Sequence, residues 1–138
     1  MRNILLITIF ISVTCFANEL EVTTKIMNKI SYILIKKNVI KVFATEEKVR
    51  QAIHNSNTMK SINDCHNADL IISNKQSDIP FTCKEKMVFY TKYKAFKKDT
   101  HAVGAFFWQK GRPNIMFRKN ILSKYHITLP SEFHKYIE

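Results

Sequence analysis

The sequence predicts one small α/β (α+β) domain built on a mixed sheet. Three observations carry that reading: an amphipathic helical stripe from Val22, a strand-helix-strand unit over residues 39–73, and a glycine-bearing hairpin over residues 103–117.

Val22, Ile26, Met27, Ile30, Ile33 and Leu34 recur at helical spacing and define one buried face, with Lys25, Asn28 and Lys29 opposite. This helix is expected to stop near Lys37 and Asn38. Residues 39–44 are short, β-branched and apolar, the pattern of a mostly buried strand. Thr45 is expected to cap the next helix, while Glu46 and Glu47 place negative charge at its positive end. Val49, Ala52 and Ile53 supply that helix's buried side, and residues 59–62 form a short edge strand. The next strand spans residues 69–73. A strand, a helix and a strand in series demand a crossover, which favours parallel pairing.

A polar connection through residues 74–78 leads to another strand at 87–91. Residues 103–109 and 112–117 then flank Lys110-Gly111, a short turn with glycine where a positive φ is needed. Pro113 marks the second of these strands as an edge or entry position, because proline cannot donate to a ladder. Asn120 is expected to cap a short helix through Tyr125, and Ser131, behind Pro130, a last one through Ile137.

Upstream, Arg2 precedes an apolar run from Ile4 to Phe16 that closes on small Ala17. A charged start, a short apolar stretch and a small residue at the cleavage position make a secretory leader. The run is shorter than the roughly 20 apolar residues that a bilayer span requires. Residues 1–17 are therefore read as a signal peptide and residues 18–138 as a single exported domain. Thr14 and Ser12 are poor neighbours for lipidation of Cys15, which leaves with the leader.

Two cysteines remain, Cys65 and Cys83, and in an exported chain they are most simply one disulfide. Each lies four residues before a β-prone run, so neighbouring strands would set the thiols side by side. Such a loop stabilises by about 3 kcal/mol in the chain-entropy account. Two free thiols are the alternative. Asp64-Cys65-His66 groups metal-ligand types but lacks the spacing of a metal site.

The 138 residues carry a formal charge of +11 and only two glycines, with 46% hydrophobic residues, so the chain reads as ordered and basic. Its lysines are spread along the sequence, which fits a lysine-rich proteome better than a dedicated charged block. Between Tyr90 and Arg118 lysines interleave with aromatics, a mixture that could grip single-stranded nucleic acid. Phe106, Phe107 and Trp108 are consecutive in a strand and cannot share one exposed face, so the core reading is preferred and no nucleic-acid partner is expected. The histidines His54, His66, His101, His126 and His134 are scattered. No phosphate loop, GxSxG or HExxH is present. No catalytic residue, cofactor or metal is therefore expected, and Trp108, Lys110 and Arg112 are the partner-binding candidates, since an arginine beside an aromatic commonly anchors an interface.

The order of elements, with Cys65 leading Ala68-Asp69-Leu70-Ile71-Ile72, then Gly104, Gly111-Arg112, Ile115 and Phe117 three residues before Asn120, resembles the YfiR-like periplasmic proteins. Phe117 to Asn120 is similar to that family's F-x-x-N, and residues 127–133 to its L-x-I-S-S-x-L-L segment. Gly104-Ala105 stands where the family has a glycine pair, and Phe133-His134 where it has two leucines. The resemblance implies a non-enzymatic periplasmic regulator in cyclic-di-GMP signalling, which binds the sensory part of an inner-membrane diguanylate cyclase and restrains it. A one-lobed periplasmic solute-binding protein is the alternative. No stable membrane insertion is expected after cleavage, and a homodimer is left open. Mass spectrometry of the chain exported by its native cell should give a mature start at Asn18; an intact Met1 in the cytosol would contradict the leader.

Overall fold

The computed structural model describes residues 2–138, with side chains from Glu19 onward. The expected leader, with Arg2, Cys15 and the cleavage position at Ala17, lies outside the residues whose side chains are described. In order come α1 (Arg2–Ile35), β1 (Ile40–Ala44), α2 (Glu47–His54), β2 (Met59–Ser61), β3 (Leu70–Ser73), β4 (Val88–Tyr90), α3 (Tyr93–Lys98), β5 (Gly104–Gln109), β6 (Arg112–Phe117) and α4 (Lys119–Lys124). Among the described residues no helix is long and apolar enough to cross a membrane.

The six strands form one sheet in the order β2-β1-β3-β4-β5-β6. The pairs from β2 to β5 are parallel, and β5 and β6 are antiparallel. The fold is thus the expected α/β domain on a mixed sheet. Every residue of β3 and β4 is buried, as in a central parallel strand covered on both faces. Their alternation sorts the core into two layers. Leu70, Ile72, Phe89, Phe106 and Phe117 face α1 and α2, whose Met27, Ile30, Val49 and Ile53 pack on them. Ile71, Val88, Tyr90 and Ala105 face the other way, toward Phe96, Cys65 and Cys83.

The two faces are covered unequally. On the first, α1 ends at Ile35, where Lys36 turns to φ 55, and α2 follows with Val49, Ala52 and Ile53 buried as the sequence predicts. Among the described residues the second face carries only α3 and 3-10 turns at Cys65–Asn67, Gln76–Asp78 and Phe81–Cys83. The sequence reading missed α3, because its six residues bury a single apolar side chain, Phe96, and so show no stripe.

Three expected caps are corrected. Glu46, not Thr45, precedes α2, and the Thr45 hydroxyl donates instead to Ser73 Oγ at 2.7 Å. Asn120 lies inside α4, which starts from Arg118 without a side-chain cap. Ser131 is the first residue of a 3-10 turn, Ser131–Tyr136, entered from Pro130, so the final helix is 3-10 and not α.

The hairpin matches expectation. Lys110 at φ 51 and Gly111 at φ 73 are both left-handed, the two-residue turn whose twist suits paired strands. Gly104 is needed for a different reason: a Cβ there would sit 2.4 Å from the Met116 carbonyl oxygen. Both sheet edges are blunted. β2 is three residues long, and on β6 Pro113 removes a donor while Phe117 is bridged by Ile137.

Cys65 and Cys83 form a buried disulfide with their Cα atoms 6.1 Å apart. It ties the turn before β3 to the turn before β4. Replacing both cysteines by serine should lower unfolding stability by about 3 kcal/mol in urea titration. No change in the midpoint would show that the bridge is idle.

Candidate functional site

The hairpin places the three sequence candidates unevenly. Gln109 pairs with Arg112 and Trp108 with Pro113, so Arg112 and Trp108 project from opposite faces. Trp108 lies over Phe106 with centroids 6.1 Å apart, and its Nε1 donates to Thr23 Oγ1 of α1 at 3.2 Å. Lys110 and Arg112 are exposed at the tip. On the Arg112 side, Phe107 meets Tyr93 of α3 at 5.6 Å, and Tyr93 is among the exposed large hydrophobic residues. The tip is therefore a rigid basic point flanked by an aromatic pair and held to α1 by an indole.

Beyond the carboxyl ends of the parallel strands lies a crevice of about 330 Å³, lined by Thr23, Glu46, Thr91, Lys92, Phe107 and Trp108 among others. Strands β1, β3 and β4 end on or beside a hydroxyl residue, Thr45, Ser73 and Thr91. These side chains lace the strand ends together. Thr45 donates to Ser73 Oγ, Ser73 Oγ to the Lys75 carbonyl at 2.8 Å, and Thr91 to the Glu46 carboxylate. β1 is followed by β2 on one side and β3 on the other, a change of direction whose carboxyl-end crevice is where open α/β sheets take ligands.

A buried polar knot anchors the second face. The Tyr90 hydroxyl donates to Asp99 Oδ2 at 2.7 Å, and the His101 N–H donates to Asp99 Oδ1 at 3.1 Å. Arg118 reaches across from the end of β6. Its Nη1 donates to the carbonyls of Asp99 and Ala102 at 2.9 and 2.8 Å, and its Nη2 to that of Phe96 at 2.8 Å. The guanidinium stacks 4.0 Å from the Phe96 ring. It thereby satisfies carbonyls around the end of α3 that have no helical partner. Burial pulls the Arg118 pKa down, and the charges of Asp99 and Glu138 oppose it. Sequence reasoning missed this knot, since its members lie 9 and 19 positions apart and match no motif.

Among the described residues one group could approach a metal, Cys65, His66 and Cys83, with ligand atoms within 4.8 Å of one another. Both sulfurs are already bonded to each other. His66 Nδ1 lies 2.8 Å from Asp64 Oδ1, and this hydrogen bond to His66 holds the Asp64 carboxyl below its ordinary range.

Comparison with protein-family models, curated proteins and solved structures finds no match to this chain.

Burial, helped by Asp99, pushes the Tyr90 phenol above the usual tyrosine range. The folded state therefore keeps this proton where the unfolded chain loses it, and stability should fall as pH rises above about 10. Tyr90→Phe should cost about 1–3 kcal/mol at neutral pH by leaving a buried acceptor short of a donor. It should also flatten the alkaline decline in urea midpoints, with a residue from Tyr125, which burial likewise raises. An unchanged alkaline slope would contradict the assignment.

Proposed function

We propose that this chain is a non-enzymatic periplasmic binding protein that restrains an inner-membrane signalling protein, such as a diguanylate cyclase, by docking on it. The observation that carries the reading is the hairpin tip. Exposed Lys110 and Arg112 stand on a strand-paired arm whose Trp108 is tied to α1. A preorganised basic point loses little freedom on binding, which is what a docking element requires. Blunted edges leave side chains, rather than an added strand, as the means of contact.

Two further features support it. Asp99, the most enclosed carboxylate, is engaged by Tyr90 and the His101 backbone, so it serves structure. The buried disulfide fits an oxidising compartment. The nature of the partner rests on the resemblance to YfiR-like proteins. A second reading, a one-lobed solute receptor, is favoured by the crevice at the strand ends.

Tagged mature protein isolated from the cell envelope should capture a membrane cyclase after cross-linking. Lys110→Glu with Arg112→Glu should reduce that capture at least about tenfold with an unchanged melting temperature. Equal capture by the double variant would remove the hairpin from the interface. A small molecule found by native mass spectrometry, and lost on Thr91→Val, would instead support the receptor.

A further inference from the structure

We propose that a cleft on the second face binds a small phosphorylated organic molecule of the nucleotide type. The cleft lies between the connection at residues 74–87 and α3, and it encloses about 970 Å³. That is the upper range for small-ligand sites. It exists because this connection crosses the sheet as 3-10 turns rather than as a helix, leaving part of the face uncovered.

The lining has two chemistries. Ile79, Val88 and Ala95 give it an apolar patch continuous with the second core layer. Around them stand seven lysines, from positions 75, 84, 86, 92, 94, 98 and 124, against two carboxylates, Glu85 and Asp99. Asp99 already accepts from Tyr90. Among the described residues none of these lysines forms an ion pair, whereas Lys25, Lys29, Lys37, Lys48 and Arg50 each hold a carboxylate at 2.6–3.1 Å. Other described cations, Lys110 and Arg112 among them, also stand without an ion pair, but here seven converge on one hollow against two carboxylates. Lysines crowded round one hollow repel each other, and a bound polyanion relieves that repulsion.

The composition also selects the anion. No arginine lines the cleft, so its cations act as point charges rather than as bidentate forks, and seven of them favour an anion of high charge over a single carboxylate. Ammonium groups are compact point charges that suit phosphoryl oxygens. The apolar patch calls for an organic body, and Phe81, 78% exposed, offers a ring at the same cleft. A nucleotide provides phosphates and a flat apolar ring together. A lipid surface is flat and cannot fill a recess.

Calorimetric titration of the disulfide-closed protein with metal-free ATP, and with inorganic triphosphate, tests this. ATP should bind more tightly than triphosphate and should weaken at least about tenfold between low and 300 mM salt. Lys94→Glu with Lys98→Glu, both on exposed α3 positions, should weaken ATP at least about tenfold. Lys94→Ala with Lys98→Ala should weaken it less, with unchanged circular dichroism. The hairpin pair Lys110→Glu and Arg112→Glu should leave ATP binding unchanged, which separates this site from the docking reading. No heat at millimolar ATP, equal affinity in the α3 variants, triphosphate binding as tightly as ATP, or binding only to anionic vesicles would each overturn it.

Discussion

The bond between Cys65 and Cys83 is the constraint on which the second face depends. A parallel sheet must be covered on both sides, and the connection from β3 to β4, as long as the one that carries α2, is too polar to present a packed helical face and runs as 3-10 turns. The disulfide supplies what packing does not. It fastens the turn before β4 to the turn before β3, and both sulfurs sit in the same small core as Ile71, Val88 and Tyr90. In an oxidising compartment such a bridge is permanent, and a thin layer of turns can stand where a helix would otherwise be required.

The asymmetry of the two faces has a functional consequence. The face under α1 and α2 is a conventional apolar core, with the carboxyl-end crevice at its margin. The opposite face trades cover for access. The Tyr90, Asp99 and Arg118 knot keeps α3 in place with hydrogen bonds because α3 buries one large apolar side chain. What remains open between α3 and the bridged connection is a recess whose walls are lysine. The hairpin tip lies elsewhere, so docking there and ligand capture need not compete for the same residues, while the carboxyl-end crevice adjoins the recess and shares Lys92 with it.

Much of the fold was legible in the sequence. Helical spacing from Val22, the β-branched runs and the Lys110-Gly111 turn each report a local preference that tertiary packing agrees with. Helix ends were less readable. Thr45 and Asn120 carry cap chemistry, but Thr45 is drawn to Ser73 across the sheet and Asn120 falls two residues past the cap position. The sites were least legible. Lysines that look scattered come from four segments and meet only because the disulfide and the knot fold those segments toward one another. Arg112 and Trp108 look adjacent in sequence, and the pleat turns them to opposite sides. Periodicity reports burial, whereas convergence of charge depends on crossovers that no local pattern encodes.

The central claim is that the disulfide takes the place of a covering helix on one face only. Hydrogen–deuterium exchange on closed and reduced protein tests it directly. Opening the bridge should speed exchange across residues 74–87 and the start of β4, while α1, α2 and β1 keep their protection. Loss of protection throughout the molecule, or no change in the 74–87 connection, would contradict the account.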